Sequence, residues 1–145
     1  NQASAEWRSG ELKAPTPYTL KVTVSDGSRT ESRSVNVEVG VPSYARDIEP
    51  IWSSKCSSCH NENGLEGLNL QVGRSHASLR ASGVGACASG PRVSPGRPEE
   101  SLLVRRISNE DCGNRMPLGN SSYFDSNPGE LTQILSWILA GALDN

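Results

Sequence analysis

Alternating apolar and polar residues characterise the first part of the chain. Large or β-branched side chains alternate with polar ones over residues 18–24, and the pattern returns over residues 34–39. A period of two is typical of a strand with one buried face. The Asp26-Gly27 pair between the two runs favours a turn, because glycine adopts a positive φ without steric strain. Residues 1–42 are therefore predicted to form a β-hairpin followed by a linker.

A lone hairpin cannot cover its own apolar face and is rarely stable by itself. Three outcomes follow for this one: it packs on the rest of the chain, it pairs with a second copy through its open edges to give a dimer, or it stays partly disordered.

Helical periodicity replaces the alternation in residues 43–145. Apolar residues recur there at spacings of three and four, as on one face of an amphipathic helix. We predict one helix that Asp47 caps and that leads into Cys56, a second over residues 98–107, and a third over residues 127–142 that Asn127 caps. The long stretch between the first two helices is rich in Gly and Ser and has no sustained period.

Composition narrows the classes of function. The chain carries 14 Lys and Arg against 16 Asp and Glu, so it lacks the basic field that binds nucleic acid. No apolar run approaches the roughly 20 residues of a membrane span. Apolar content is only 34%, and long loops in a compact domain usually surround something. We expect a bound apolar group to complete the core.

The motif Cys56-Ser-Ser-Cys59-His60 indicates what that group is. Two thiols and an imidazole on one turn can bond both vinyl groups of a haem and ligate its iron. A zinc site would need a second pair of ligands, but Cys87 and Cys112 lie 25 residues apart. A thioredoxin-like redox pair would follow a strand rather than a helix. We interpret the motif as a covalent haem c site with His60 as an iron ligand.

The second iron ligand is predicted to be Met116, the only methionine of the chain. It lies in an Arg-Met-Pro sequence on a loop between two predicted helices. The alternative is a methionine that merely fills the core. His76 is the other histidine and an alternative ligand, although a hydrogen-bonded surface histidine is the more frequent case.

Further residues are assigned around the haem. Leu68 and Leu70 are predicted to pack on its ring, and Arg105 or Arg106 to pair with a propionate through the guanidinium group. Cys87 and Cys112 remain after the haem has taken its two thiols. In an exported chain a disulfide between them is expected.

Over residues 44–145 the order of segments DIEPIW, CSSCH, GLNL, SPGRPEESLLVRRI, RMPLG and ELTQILSWILAGA resembles class I c-type cytochromes, specifically planctomycete-type cytochrome c domains. The preceding hairpin resembles the last strands of immunoglobulin-like or cadherin-like spacers in secreted bacterial proteins. Two departures are RMPL in place of the commoner RMPP and the additional cysteine pair.

The resemblance implies a mainly α, class I cytochrome c fold with three main helices around a covalent haem and the hairpin as an appendage. It implies thioethers from Cys56 and Cys59, axial ligation by His60 and Met116, and one-electron transfer rather than enzymatic catalysis. It also implies a module of a larger exported protein, periplasmic or at the cell surface of a Gram-negative bacterium. Redox partners would be an upstream dehydrogenase or a copper polysaccharide monooxygenase.

Two other classes of function remain as alternatives. A peroxidase-like haem enzyme would need an open or displaceable sixth ligand. A gas-sensing or carbohydrate-binding module is the other, although the aromatic content of 5% leaves little for a carbohydrate platform.

Overall fold

The computed structural model describes residues 4–83, 90–108 and 113–145. In those residues two strands precede five short α-helices. They are β1 (Thr16–Ser25), β2 (Thr30–Val39), α1 (Glu49–Lys55), α2 (Ser75–Arg80), α3 (Leu102–Ser108), α4 (Tyr123–Ser126) and α5 (Pro128–Leu139). A π-helical turn, Tyr44–Ile48, leads into α1, and 3₁₀ turns occupy Leu65–Gly67 and Pro98–Glu100.

The predicted hairpin is confirmed. Strands β1 and β2 pair antiparallel with Ser25 opposite Thr30, which leaves a four-residue turn. The carboxylate of Asp26 accepts hydrogen bonds from the amides of Ser28 (2.9 Å) and Arg29 (2.8 Å). Gly27 has a φ of 97°, a conformation that favours glycine.

The hairpin has one apolar face, and that face is only partly covered. Opposite residues of an antiparallel pair share a face, so Leu20 lies beside Val35. Val22 and Val35 are 65% and 57% exposed. The chain before β1 is attached to the helices, because the amide of the buried Leu12 donates to Ser136 Oγ of α5 (2.9 Å).

The core gathers apolar side chains from several elements, including the faces of α1 and α5 that helical periodicity marked as apolar. The apolar stripe of the first helix is buried at Ile51 and Trp52, and that of the last helix at Ile134 and Ile138. The same cluster contains Tyr44, Ile48, Leu70, Leu79, Val93, Ile107, Phe124, Trp137 and Ala142.

The helix boundaries depart from the prediction. Asp47 does not cap α1, which begins at Glu49; its carboxylate accepts instead from the amide of Ser43 (2.8 Å). Asn127 makes no side-chain cap on α5 and donates to the carbonyl of Tyr123 (2.8 Å). The helix predicted over residues 98–107 is divided, because Ser101 has an extended backbone (ψ 121°).

The predicted fold class is wrong. In place of a mainly α, class I cytochrome c fold, the described residues form a small mixed fold in which a two-stranded antiparallel sheet accompanies five short helices. The longest helix has 12 residues and the other four have seven or fewer. Periodicity located the apolar faces, but turns and extended residues end these helices early. None of the described helices is long and apolar enough to cross a membrane.

Candidate functional site

The end of α1 continues directly into the Cys56–His60 turn. The amide of Cys56 donates to the carbonyl of Trp52 (2.9 Å), and the amides of Cys59 and His60 both donate to the carbonyl of Cys56 (3.2 and 2.9 Å). On the far side, the amide of Leu70 donates to the carbonyl of His60 (2.7 Å). Backbone hydrogen bonds therefore fix the turn at both of its ends.

The turn adjoins a cavity of about 370 Å³, a volume within the range of small-molecule sites. Most of its wall is apolar, formed by Trp52, Leu65, Leu68, Leu70, Leu79, Leu102, Leu103, Ile107, Met116 and Leu118. The other residues that line it are Cys56, His60, Glu66, Gly83, Arg92, Arg106, Gly113 and Asn114. Six predicted site residues thus lie along one cavity: Cys56, His60, Leu68, Leu70, Arg106 and Met116.

The imidazole of His60 lies at the cavity wall, where its surroundings favour the neutral form. Burial lowers the pKa of His60, and the cations Arg106 and Arg92 act in the same direction, whereas the backbone of Leu65 acts against them. Its Nδ1 atom is buried and has no hydrogen-bond partner among the described residues. A neutral imidazole is the form that ligates metals.

The two cysteines of the motif differ in environment. Cys56 is partly buried, and burial, followed by the charges of Glu130 and Cys59, raises the pKa of its thiol to about 11. Cys59 is exposed and lies outside the cavity lining. The two are not bridged to each other, so both sulfur atoms are available for another bond.

Met116 reaches the cavity from the loop between α3 and α4. Its amide donates to the carbonyl of Arg106 (2.7 Å), and its side chain packs, partly buried, against the core. A thioether and an imidazole therefore border the same apolar space.

Sequence reasoning missed Arg92. It is 7% exposed, lines the cavity and donates to the carbonyls of Glu66 and Ser78 (both 2.8 Å). Burial lowers the pKa of its guanidinium group. Nothing in the Gly- and Pro-rich sequence around it distinguishes this arginine from the others.

Other predicted residues lie elsewhere. Arg105 is not part of the cavity lining. His76 is also outside it: its Nε2 lies 3.0 Å from the carbonyl oxygen of Ala142, and its ring contacts Tyr44 at a centroid distance of 4.9 Å. The predicted disulfide between Cys87 and Cys112 falls outside the described residues. Within residues 4–83, 90–108 and 113–145, no three His, Cys, Asp or Glu residues are grouped to hold a metal ion.

No protein-family model, curated protein or solved structure matches this chain. Its resemblance to c-type cytochromes therefore depends on its motifs alone.

Proposed function

We propose that the chain binds one haem covalently through Cys56 and Cys59 and carries single electrons. The observation that supports this most directly is the shared cavity, where the imidazole of His60, the thiol of Cys56 and the thioether of Met116 meet an apolar wall. The buried, unpartnered Nδ1 of His60 also fits a histidine whose environment a bound group would complete.

Each residue has a defined part in this proposal. His60 and Met116 would bind the iron, and the sulfur atoms of Cys56 and Cys59 would hold the group covalently. When bound, the haem supplies reversible one-electron chemistry, and a Met ligand favours a higher reduction potential than a second histidine.

The rest of the wall would control the environment of the iron. Leu68 and Leu70, which line the cavity, would limit the access of water to a bound group. Arg92 and Arg106 place positive charge at its border, where it can offset the carboxylates of a propionate-bearing ligand. Arg92 fits this part well because its hydrogen bonds to Glu66 and Ser78 go to neutral carbonyl groups.

The setting of the module is proposed from the motifs. Covalent haem attachment points to the periplasm or the cell surface, and the hairpin points to a larger exported protein. Electrons would then pass from an upstream dehydrogenase to an acceptor such as a copper polysaccharide monooxygenase.

The test is expression of the chain with haem c maturation proteins, followed by a pyridine haemochrome spectrum and a redox titration. We expect one haem per chain, retained after denaturation, and a single one-electron step. Replacing both Cys56 and Cys59 by alanine should abolish covalent attachment, whereas His76→Gln should leave it intact. A wild-type chain that retains no haem after denaturation would refute the proposal.

Met116→Ala separates the electron carrier from the peroxidase-like alternative. We expect the wild-type ferric protein to show the absorption band of an iron–methionine bond and to bind carbon monoxide slowly when reduced. The variant should lose the band and bind carbon monoxide rapidly. Rapid binding by the wild-type protein would favour an enzyme with an open iron position.

A further inference from the structure

The loop that carries Met116 is fastened by the side chain of the preceding residue. Arg115 Nε donates to the carbonyl of Ile107 in α3 (2.8 Å). Its two terminal nitrogens donate to the two carboxylate oxygens of Asp125 in α4 (2.8 and 2.6 Å). One guanidinium group thus joins the loop to the helices on both sides of it.

The loop also supplies hydrogen-bond donors to two carbonyl groups at the end of α3. The last carbonyls of a helix have no partner within it, and here two consecutive ones accept from the loop. The carbonyl of Arg106 accepts from the amide of Met116, and that of Ile107 accepts from Arg115. Because the two donors are consecutive residues, the backbone of Met116 cannot shift without straining the bonds of Arg115.

The geometry requires arginine. Only a guanidinium group can donate to a carbonyl through Nε and at the same time donate to both oxygens of a carboxylate through its two terminal nitrogens. The Arg115 side chain is 15% exposed, whereas that of Asp125 is 60% exposed. The side chain of Arg115 is therefore largely buried, and the exposed carboxylate of Asp125 binds its terminal nitrogens.

We propose that Arg115, held by Asp125, is the positioning residue that presents the sulfur of Met116 to the cavity. This inference rests on the proposed function, because that function supplies the haem iron that the sulfur of Met116 would bind. Arg115 itself does not contact the iron; it acts through the backbone of Met116.

The first readout needs no haem. Met116 is the only methionine, so its oxidation by chloramine-T can be followed by peptide mass spectrometry. We expect Arg115→Lys and Asp125→Asn to raise the oxidation rate by about tenfold, the factor expected for loss of a charge-assisted hydrogen bond. Asp125→Asn leaves Arg115 in place with its bond from Nε to the carbonyl of Ile107. It therefore tests the Arg115–Asp125 pair even if Arg115→Lys fails to fold.

The control is another arginine–carboxylate pair. Arg97 and Glu100 pair on the surface (3.0 Å), with side chains 61% and 49% exposed. Arg97→Lys should leave the oxidation rate of Met116 unchanged. An equal rise in this control, or no rise in Arg115→Lys and Asp125→Asn, would overturn the proposal.

The second readout is made on the haem-loaded chain. Arg115→Lys and Asp125→Asn should weaken the ferric iron–methionine band and speed carbon monoxide binding to the reduced protein. Asp125→Glu, which keeps the carboxylate, should restore most of both. Faster oxidation with an unchanged band would show that the pair does not position the ligand. If the wild-type protein lacks the band, the proposed ligation fails, and the oxidation rates still decide whether Arg115 fixes the loop.

Discussion

Beside Gly64, the backbone of the turn that carries Cys56 and His60 folds back too closely to leave room for a side chain. A Cβ atom at this position would lie 2.6 Å from the amide nitrogen and 2.7 Å from the carbonyl oxygen of Asn61, and 3.0 Å from the carbonyl oxygen of Cys59. All three are backbone atoms, so they cannot swing aside as the end of a long side chain could.

Gly64→Ala should therefore destabilise the protein by about 1–3 kcal/mol, the usual effect of overpacking. Urea denaturation followed by tryptophan fluorescence measures the difference. Gly129→Ala is the matched control, because a Cβ there meets nothing within 4 Å. That change lies in α5 and should stabilise by at most about 1 kcal/mol. Equal effects of the two substitutions would contradict this account of the turn.

At the residue scale, the sequence identified the groups whose chemistry is distinctive. Cys56, His60 and Met116 stood out by motif or by rarity, and the structure places all three along one cavity. Arg92 did not stand out, because its importance comes from burial against carbonyls of Glu66 and Ser78, which are distant in sequence. A hydrogen bond between residues so far apart in the sequence leaves no pattern in the residues next to Arg92.

At the scale of elements, α5 links the helices to the segment before the hairpin. The buried hydroxyl of Ser136 accepts a hydrogen bond from the amide of Leu12, which is 124 residues away in the sequence. Periodicity predicted that Ile134 and Ile138 would face the core. It gave no role to Ser136, because one serine within an apolar stripe has no signature of a long-range hydrogen bond.

Ser136→Ala should leave the buried amide of Leu12 without an acceptor, at a cost of about 1–3 kcal/mol. Hydrogen exchange measured by NMR should show faster exchange at Leu12 than in the wild-type protein. Ser54→Ala, at an exposed position of α1, should leave that amide unaffected. An unchanged exchange rate in Ser136→Ala would mean that another interaction holds the segment.

At the scale of the whole molecule, the hairpin and the short helices make the fold mixed rather than mainly α. The sequence predicted the hairpin because its alternation and turn are local signals. Its helix lengths were less predictable: Ser101 ends a turn by adopting an extended backbone while its hydroxyl bonds the amide of Ser94 (2.8 Å). The conformation of Ser101 therefore depends on Ser94, which lies outside the helix predicted over residues 98–107.

Hydrogen bonds to Asn145 and to Asp47 hold the linker between the hairpin and α1 in place. The backbone carbonyl of Asn145 accepts from the hydroxyl of Ser43 (2.7 Å) and the amide of Ala45 (2.9 Å). The carboxylate of Asp47 accepts from the amide of Ser43 and from the guanidinium group of Arg46. Ser43 is therefore the centre of this junction: its hydroxyl donates to Asn145 and its amide donates to Asp47.

Acid should loosen this junction. Hydrogen bonds from Arg46, and secondarily from the amide of Ser43, hold the pKa of Asp47 below its ordinary value, although burial opposes them. A carboxyl group whose pKa is lower in the folded state contributes stability above its unfolded pKa of about 3.9 and loses it as the pH falls through the folded pKa. Asp47→Asn should therefore be less stable than wild type at pH 7, and the difference should shrink as the pH falls below about 4.

Urea midpoints measured between pH 7 and pH 3 test this expectation, with Glu38→Gln on the exposed side of β2 as the control. The control should follow the wild-type profile, because its carboxylate lies on the hairpin surface, away from the junction. If Asp47→Asn instead differed from wild type by the same amount at every pH, the loss would come from packing or geometry. The charge of Asp47 would then have no part in joining the hairpin linker to the helices.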